Sequence, residues 1–97
     1  GGLGWRAMER NQEGWLPLWV MAELAEREPV RMLKVVRGWN ESKLRWYILG
    51  ICQSKMGRMA QARQAFLRAL KMGGMYGASI SEALAAMREQ ASPSLAS

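Results

Sequence analysis

Apolar residues recur along this chain at intervals of three and four, the spacing of one face of an α-helix. The clearest case is residues 58–72, where Met59, Ala62, Phe66, Ala69 and Leu70 make one face and Gln61, Gln64, Arg68 and Lys71 the other. Residues 43–55 read as a helix apolar on nearly all sides. Upstream, Leu16, Leu18, Trp19, Val20, Met21, Leu24 and Ala25 predict a helix running from near Trp15 to Arg27. Pro17 would sit in its first turn, where a missing N–H costs nothing. Pro29 breaks that helix and opens the next, over 29–37, with Val30, Met32, Leu33 and Val36 facing inward. Gly38 and Asn40-Glu41-Ser42 read as the following turn, and Gly73-Gly74 stops the 58–72 helix. Ser79-Ile80-Ser81-Glu82 has the form of a capping box, which starts a last helix over 80–90. A short helix is expected around Trp5–Arg10 within an N-terminal segment, 1–14. Ser92-Pro93-Ser94 leaves a mobile tail over 92–97. The expected fold is all-α, about five to six short helices.

The pattern is most specific over Leu44–Ala69. Trp46, Leu49, Gly50, Gly57, Ala62, Phe66 and Ala69 stand where the tetratricopeptide helix–turn–helix repeat carries a large residue, a leucine, a glycine, a turn and then Ala…Phe…Ala, and the segment resembles that repeat. A step of about 34 residues, the family period, carries Trp46 to Ile80, with Ala83, Leu84 and Met87 continuing as a capping helix. The same step upstream lands on polar Gln12, while Phe66 and Ala69 correspond to Met32 and Val35. The resemblance therefore implies a right-handed stacked array over 15–91: an irregular pair at 15–38, a sound repeat at 43–72 and a capping helix at 80–90. Within it, Gly50 and Ala62 would let two helix backbones approach, and Trp46, Leu49 and Phe66 would fill the interior.

Composition agrees with helix. Thr is absent and Val and Ile are few, while Leu, Met and Ala dominate. The 97 residues suit one small domain. The chain opens on Gly1-Gly2, as a processed or excised segment would. Its net charge of +6 invites a nucleic-acid reading. The basic residues are interspersed with acids, however, and no run of five like charges or nucleic-acid signature occurs. A solvated surface, facing an acidic protein partner, fits better, and no nucleic acid is expected. Cys52 is the single cysteine and the chain has no His. That excludes an internal disulfide, fits a reducing compartment and removes the usual catalytic and metal-binding arrangements. No phosphate loop occurs either, since Gly73-Gly74 lacks the required Lys. The expectation is no enzyme, no cofactor, no metal and no membrane span.

A helix apolar all round is buried on both sides. If Trp46, Leu49, Gly50 and Gln53 give one stripe of 43–55 to the repeat, Leu44, Tyr47, Ile48 and Ile51 form a second stripe. Either Trp15, Leu18 and Trp19 from the N-terminal helices cover it, or a partner does. Tetratricopeptide domains that clamp a terminal carboxylate carry Lys, Asn and Arg on this face; here only Lys55 is basic. A groove of Leu44, Tyr47, Ile48 and Ile51 suits the apolar face of an amphipathic helix.

Residues 29–90 further resemble the tetratricopeptide-like chaperones of needle subunits in bacterial type III secretion, through Trp46, Leu49, Met56-Gly57 and Ala86-Met87-Arg88-Glu89-Gln90. The family's characteristic first helices have no recognisable counterpart in 1–14. That resemblance implies a bacterial cytoplasmic chaperone whose groove sequesters the C-terminal helix of a needle subunit before export. A small helical co-chaperone would bind alongside, with Trp15, Leu18 and Trp19 receiving either partner. The competing expectation is a generic tetratricopeptide adaptor or self-associating module excised from a larger protein.

Overall fold

The computed structural model describes residues 5–10 and 16–91. Residues 1–4, 11–15 and the expected tail, 92–97, lie outside them. The described residues form six helices and no strand: α1 (Trp5–Glu9), α2 (Leu18–Arg27), α3 (Pro29–Arg37), α4 (Lys43–Lys55), α5 (Met59–Lys71) and α6 (Gly77–Ala91). Local chemistry sets most boundaries. Glu28, at φ −133°, caps the end of α2 and the start of α3, and Pro29 takes the first helical position as expected. Ser42 caps α4, its hydroxyl accepting from the Arg45 N–H at 3.1 Å. Gly57, at φ +81°, makes the turn into α5.

Two starts differ from the sequence reading. Helix α2 begins at Leu18, not near Trp15. Pro17 has an extended ψ of 143°, and its carbonyl accepts from the Val20 and Met21 N–H groups, so it stands just outside the helix. Helix α6 begins at Gly77, ahead of the Ser79 capping box. Tyr76 turns the chain at φ +69°, and its carbonyl accepts from the Ile80 N–H at 2.9 Å. Ser79 then lies inside the helix, and its side chain hydrogen-bonds the Tyr47 phenol instead of the helix start.

Helix α4 is the central element: α5, α3 and α2 all pack against it, while α6 packs on α5 and α1 on α3. Its tightest contact is between Gly50 and Phe66. A Cβ on Gly50 would fall 2.5 Å from Cε1 of the Phe66 ring. The close approach expected of Gly50 is thus between the α4 backbone and an aromatic ring rather than between two backbones. Ala62, Ala65 and Ala69 are buried on the same face of α5. Met59, expected on that face, is 41% exposed, Leu70 is exposed too, and Ala65 takes the inward place. On α3, Met32, Leu33 and Val36 are buried as expected, whereas Val30 is 53% exposed.

Trp46 also departs from expectation. It is half-buried, with the Arg45 and Arg68 guanidinium groups 5.1 and 4.7 Å from its ring centroid. Arg68 also reaches Glu41 at 3.7 Å. The ring packs on the core's edge as a cation–π platform instead of filling the interior. Trp39, in the turn after α3, is buried, and its Nε1–H donates to the Met8 carbonyl at 3.1 Å. Together with Arg31 over the Trp5 ring at 4.4 Å, that bond fastens α1 to the body.

The expected step relates some helix ends and not others. Helices α2 and α4 start at Leu18 and Lys43, and α3 and α5 at Pro29 and Met59, both pairs closer than that step. Helix α4 starts at Lys43 and α6 at Gly77; α3 ends at Arg37 and α5 at Lys71. Both pairs are about 34 residues apart, the period expected from the sequence. Met32 and Phe66, which that step equates, are both fully buried.

Gly50→Ala should cost about 1–3 kcal/mol through overpacking against Phe66, and Phe66→Ala about 3–5 kcal/mol. Denaturant melts of the double variant should show strong coupling. Once the ring is gone, the added methyl has room, and Ala is a better helix former than Gly by about 1 kcal/mol. Additive losses would place the ring elsewhere than over Gly50.

Burial pushes the Cys52 thiol up to about 12 and holds the Tyr47 phenol above its usual range. For Tyr47 the Ser79 hydrogen bond opposes that rise, and the Glu26 and Glu82 carboxylates add to it. In the unfolded chain the thiol ionises near its ordinary value of about 8.5. Above that pH the unfolded state binds fewer protons than the folded one, so stability falls as pH rises. The melting temperature should be insensitive to this group below pH ~8 and decline from about pH 9 toward 12. Cys52→Ala should decline less steeply over the same window.

Candidate partner-binding clefts

Helix α4 turns its second stripe inward. Ile48 is completely buried and Leu44 and Tyr47 nearly so. The Tyr47 ring lies 6.0 Å from Phe66 at a tilt of 50° and 6.0 Å from Tyr76, near-parallel at 14°. Leu44, Tyr47 and Ile48 therefore belong to the core of the chain by itself, covered from within. The sequence could not decide this, because a stripe covered by α2 and one covered by a partner have the same composition. Ile51 and Lys55, one and two turns further on, stay at the surface: Ile51 is half-buried and Lys55 exposed.

On α2, Leu18 is half-buried against the core and Trp19 is 69% exposed. Trp15 lies outside the described residues. The residues expected to bind a partner thus divide into a buried set, Leu44, Tyr47 and Ile48, and an accessible set, Trp19, Ile51 and Lys55, with Leu18 between them.

Ile51 and Lys55 share a cleft of about 140 Å³ with Ala83, Ala86 and Met87 of α6 and Glu26 of α2; Phe66 also lines it. A volume near 150 Å³ holds one benzene-sized group. The cleft accordingly fits a single large apolar side chain rather than a whole small ligand. Ala83 and Ala86, with their small side chains, let a partner backbone come close. Glu26 and Lys55 place one charge of each sign at the cleft, with no ion pair between them among the described residues. Trp19 lies seven residues before Glu26, about 10 Å along α2.

A second, larger groove of about 560 Å³ runs between α5 and α6, lined by Met59, Leu67, Leu84 and Met87 and by Arg63 and Arg88. The sequence reading missed it. The signal available was Met59 and Leu67 on α5, apolar and eight residues apart, of which Leu67 was outside the predicted inner face. Among the described residues no three His, Cys, Asp or Glu side chains cluster as metal ligands. No helix among them is long and apolar enough to cross a membrane.

The burial pattern separates two neighbouring isoleucines. Ile48→Asp should abolish cooperative folding, because it places a carboxylate among apolar groups with no partner. Ile51→Asp, whose side chain reaches solvent, should keep native helical content and lose no more than about 1–2 kcal/mol. Circular dichroism melts of both variants check this, and equal losses would make the Ile51 surface core as well.

No family model matches this chain, and neither any curated protein nor any solved structure matches it.

Proposed function

We propose that this chain is a protein-binding module of the tetratricopeptide kind, and that its α2/α4/α6 cleft seats an anchor side chain from an amphipathic helix of a protein cargo. The observation that carries the reading is the cleft itself. Helices α4 and α6, separated in sequence, bring Ile51, Met87 and the small Ala83 and Ala86 together with Glu26 of α2 at one accessible site. An apolar site the size of one side chain, walled by helices, is what a helix-in-groove complex uses for each anchor. The step of about 34 residues from α4 to α6, and Gly50 beneath Phe66, support the repeat. Exposed Trp19 offers further aromatic contact area, the residue type that dominates binding energy at interfaces.

The cargo we propose is the C-terminal helix of a type III secretion needle subunit, kept unpolymerised in the bacterial cytoplasm, with a small helical co-chaperone alongside. This rests on the sequence resemblance through Trp46, Leu49, Met56-Gly57 and Ala86–Gln90. Sequestration follows from the chemistry: a subunit that polymerises through an apolar helix face cannot do so while that face is covered. The contact residues are Ile51, Lys55, Trp19 and, at its exposed edge, Leu18. Leu44, Tyr47 and Ile48 support them from beneath.

The test is titration of the purified chain with a labelled peptide of a needle subunit's C-terminal helix. Saturable binding is expected, weakened about tenfold or more by Ile51→Asp, since burying an unpaired carboxylate costs more than the roughly 1.4 kcal/mol of that factor. Needle polymerisation should be suppressed in proportion to occupancy. A chain that binds other amphipathic helices at this cleft but ignores the needle peptide is a generic adaptor.

A further inference from the structure

We propose that the groove between α5 and α6 is a second docking site, for an acidic amphipathic helix of another protein. This surface lies on the other side of α6 from the α2/α4/α6 cleft, with Met87 and Gln90 lining both. Its dimensions are those of a helix seat. Met59 and Leu67 stand eight residues apart on α5, about 12 Å or two helical turns, and Leu84 and Met87 line the opposite wall. A helix laid between two helices would present anchors at i, i+4 and i+7 to such a floor. The side chains are accessible: Leu67 is 41% exposed, and Leu84 and Met87 are only half-buried.

Charge selects the occupant. The charged residues lining the groove are Arg63 and Arg88, one on each wall, and no acid lines it. Among the described residues neither arginine makes an ion pair. An occupant with carboxylates flanking its apolar stripe would pair with both, using the bidentate geometry that guanidinium offers. A second copy of this chain meets the opposite condition. Pairing groove to groove in a two-fold contact gathers the Arg63 and Arg88 of both copies, with no acid from either groove, on a chain that already carries a net charge of +6.

Two synthetic helical peptides test this, identical in a leucine stripe at i, i+4 and i+7, one flanked by Glu and the other by Lys. Fluorescence anisotropy with the whole chain should show the Glu peptide binding about tenfold tighter at ~50 mM salt, with the preference shrinking toward ~500 mM as screening removes it. The double variant Arg63→Glu/Arg88→Glu should invert the preference, and Leu67→Asp, made in the Ile51→Asp background that blocks the other cleft, should abolish binding of both peptides. Helical content is to be checked on each variant. Ile51→Asp should leave this binding intact, which separates failure here from failure of the cargo reading. Equal affinity for the two peptides, or binding indifferent to the double charge swap, would overturn the proposal. So would a sedimenting dimer that Leu67→Asp dissolves, since the occupant would then be a second copy.

Discussion

The Phe66 ring seated over Gly50 is the contact on which the rest of this structure depends. Helices α4 and α5 can approach closely only because position 50 has no side chain to hold them apart. The face of α5 on either side of the ring is alanine, at Ala62, Ala65 and Ala69, all buried. The bare backbone at Gly50 lets the Phe66 ring lie directly on α4, with small alanines to either side of it on α5. A large aromatic then fills the space at the crossing. Packing of this kind is intolerant of added volume, because interiors are as dense as organic crystals.

From that contact the remaining elements follow. With α5 fixed on one side of α4, the opposite side is left for α2 and α3, and the middle of α4 is buried from Tyr47 to Gly50, while Trp46 and Ile51 stay half-covered and Lys55 exposed. Its apolar composition, puzzling for a surface helix, is thereby explained. Tyr47 extends the arrangement toward α6. It touches Phe66 on one side, stacks on Tyr76 on the other, and hydrogen-bonds Ser79. Tyr76 holds a left-handed backbone, which costs a non-glycine residue about 1–3 kcal/mol, and its stacked ring helps hold that turn in place. Lys43 reinforces the same junction, donating to the Gly73 carbonyl at 2.6 Å.

The helices were legible in the sequence wherever one periodic face decides the matter. Residues 58–72 and 29–37 showed most of their inner faces, with Met59, Leu70 and Val30 the exceptions, and Pro29, Gly57 and Gly73-Gly74 marked real boundaries. Legibility ended where a residue's fate depends on what packs against it. Ser79 and Glu82 spell a capping box, yet the hydroxyl has a tertiary partner in Tyr47 and the helix starts earlier. Trp46 occupies a position associated with interior packing, and two arginines from separate helices cover it instead. Trp39 sits among turn residues, and only the fold brings the Met8 carbonyl to its ring nitrogen. Ile48 and Ile51 share one stripe, three residues apart, and the fold divides them between core and surface.

Helix α6 is the common root of both candidate surfaces. Of its described side chains Ile80 alone is fully buried, while Ala83, Leu84 and Met87 are half-covered. An array of helical hairpins buries each helix between neighbours on two sides. Here α6 has α5 on one side, and beyond it no further helix is described. Its uncovered apolar surface therefore splits into two: the strip facing α2 and α4, which becomes the small cleft, and the strip continuing onto α5, which becomes the long groove. Any partner seated on either strip supplies apolar contacts that α6 lacks in the chain by itself. Because such a partner binds the folded state and not the unfolded one, it must also stabilise the fold in proportion to its occupancy. The half-covered apolar side chains of α6 thus tie the proposed recognition to stability.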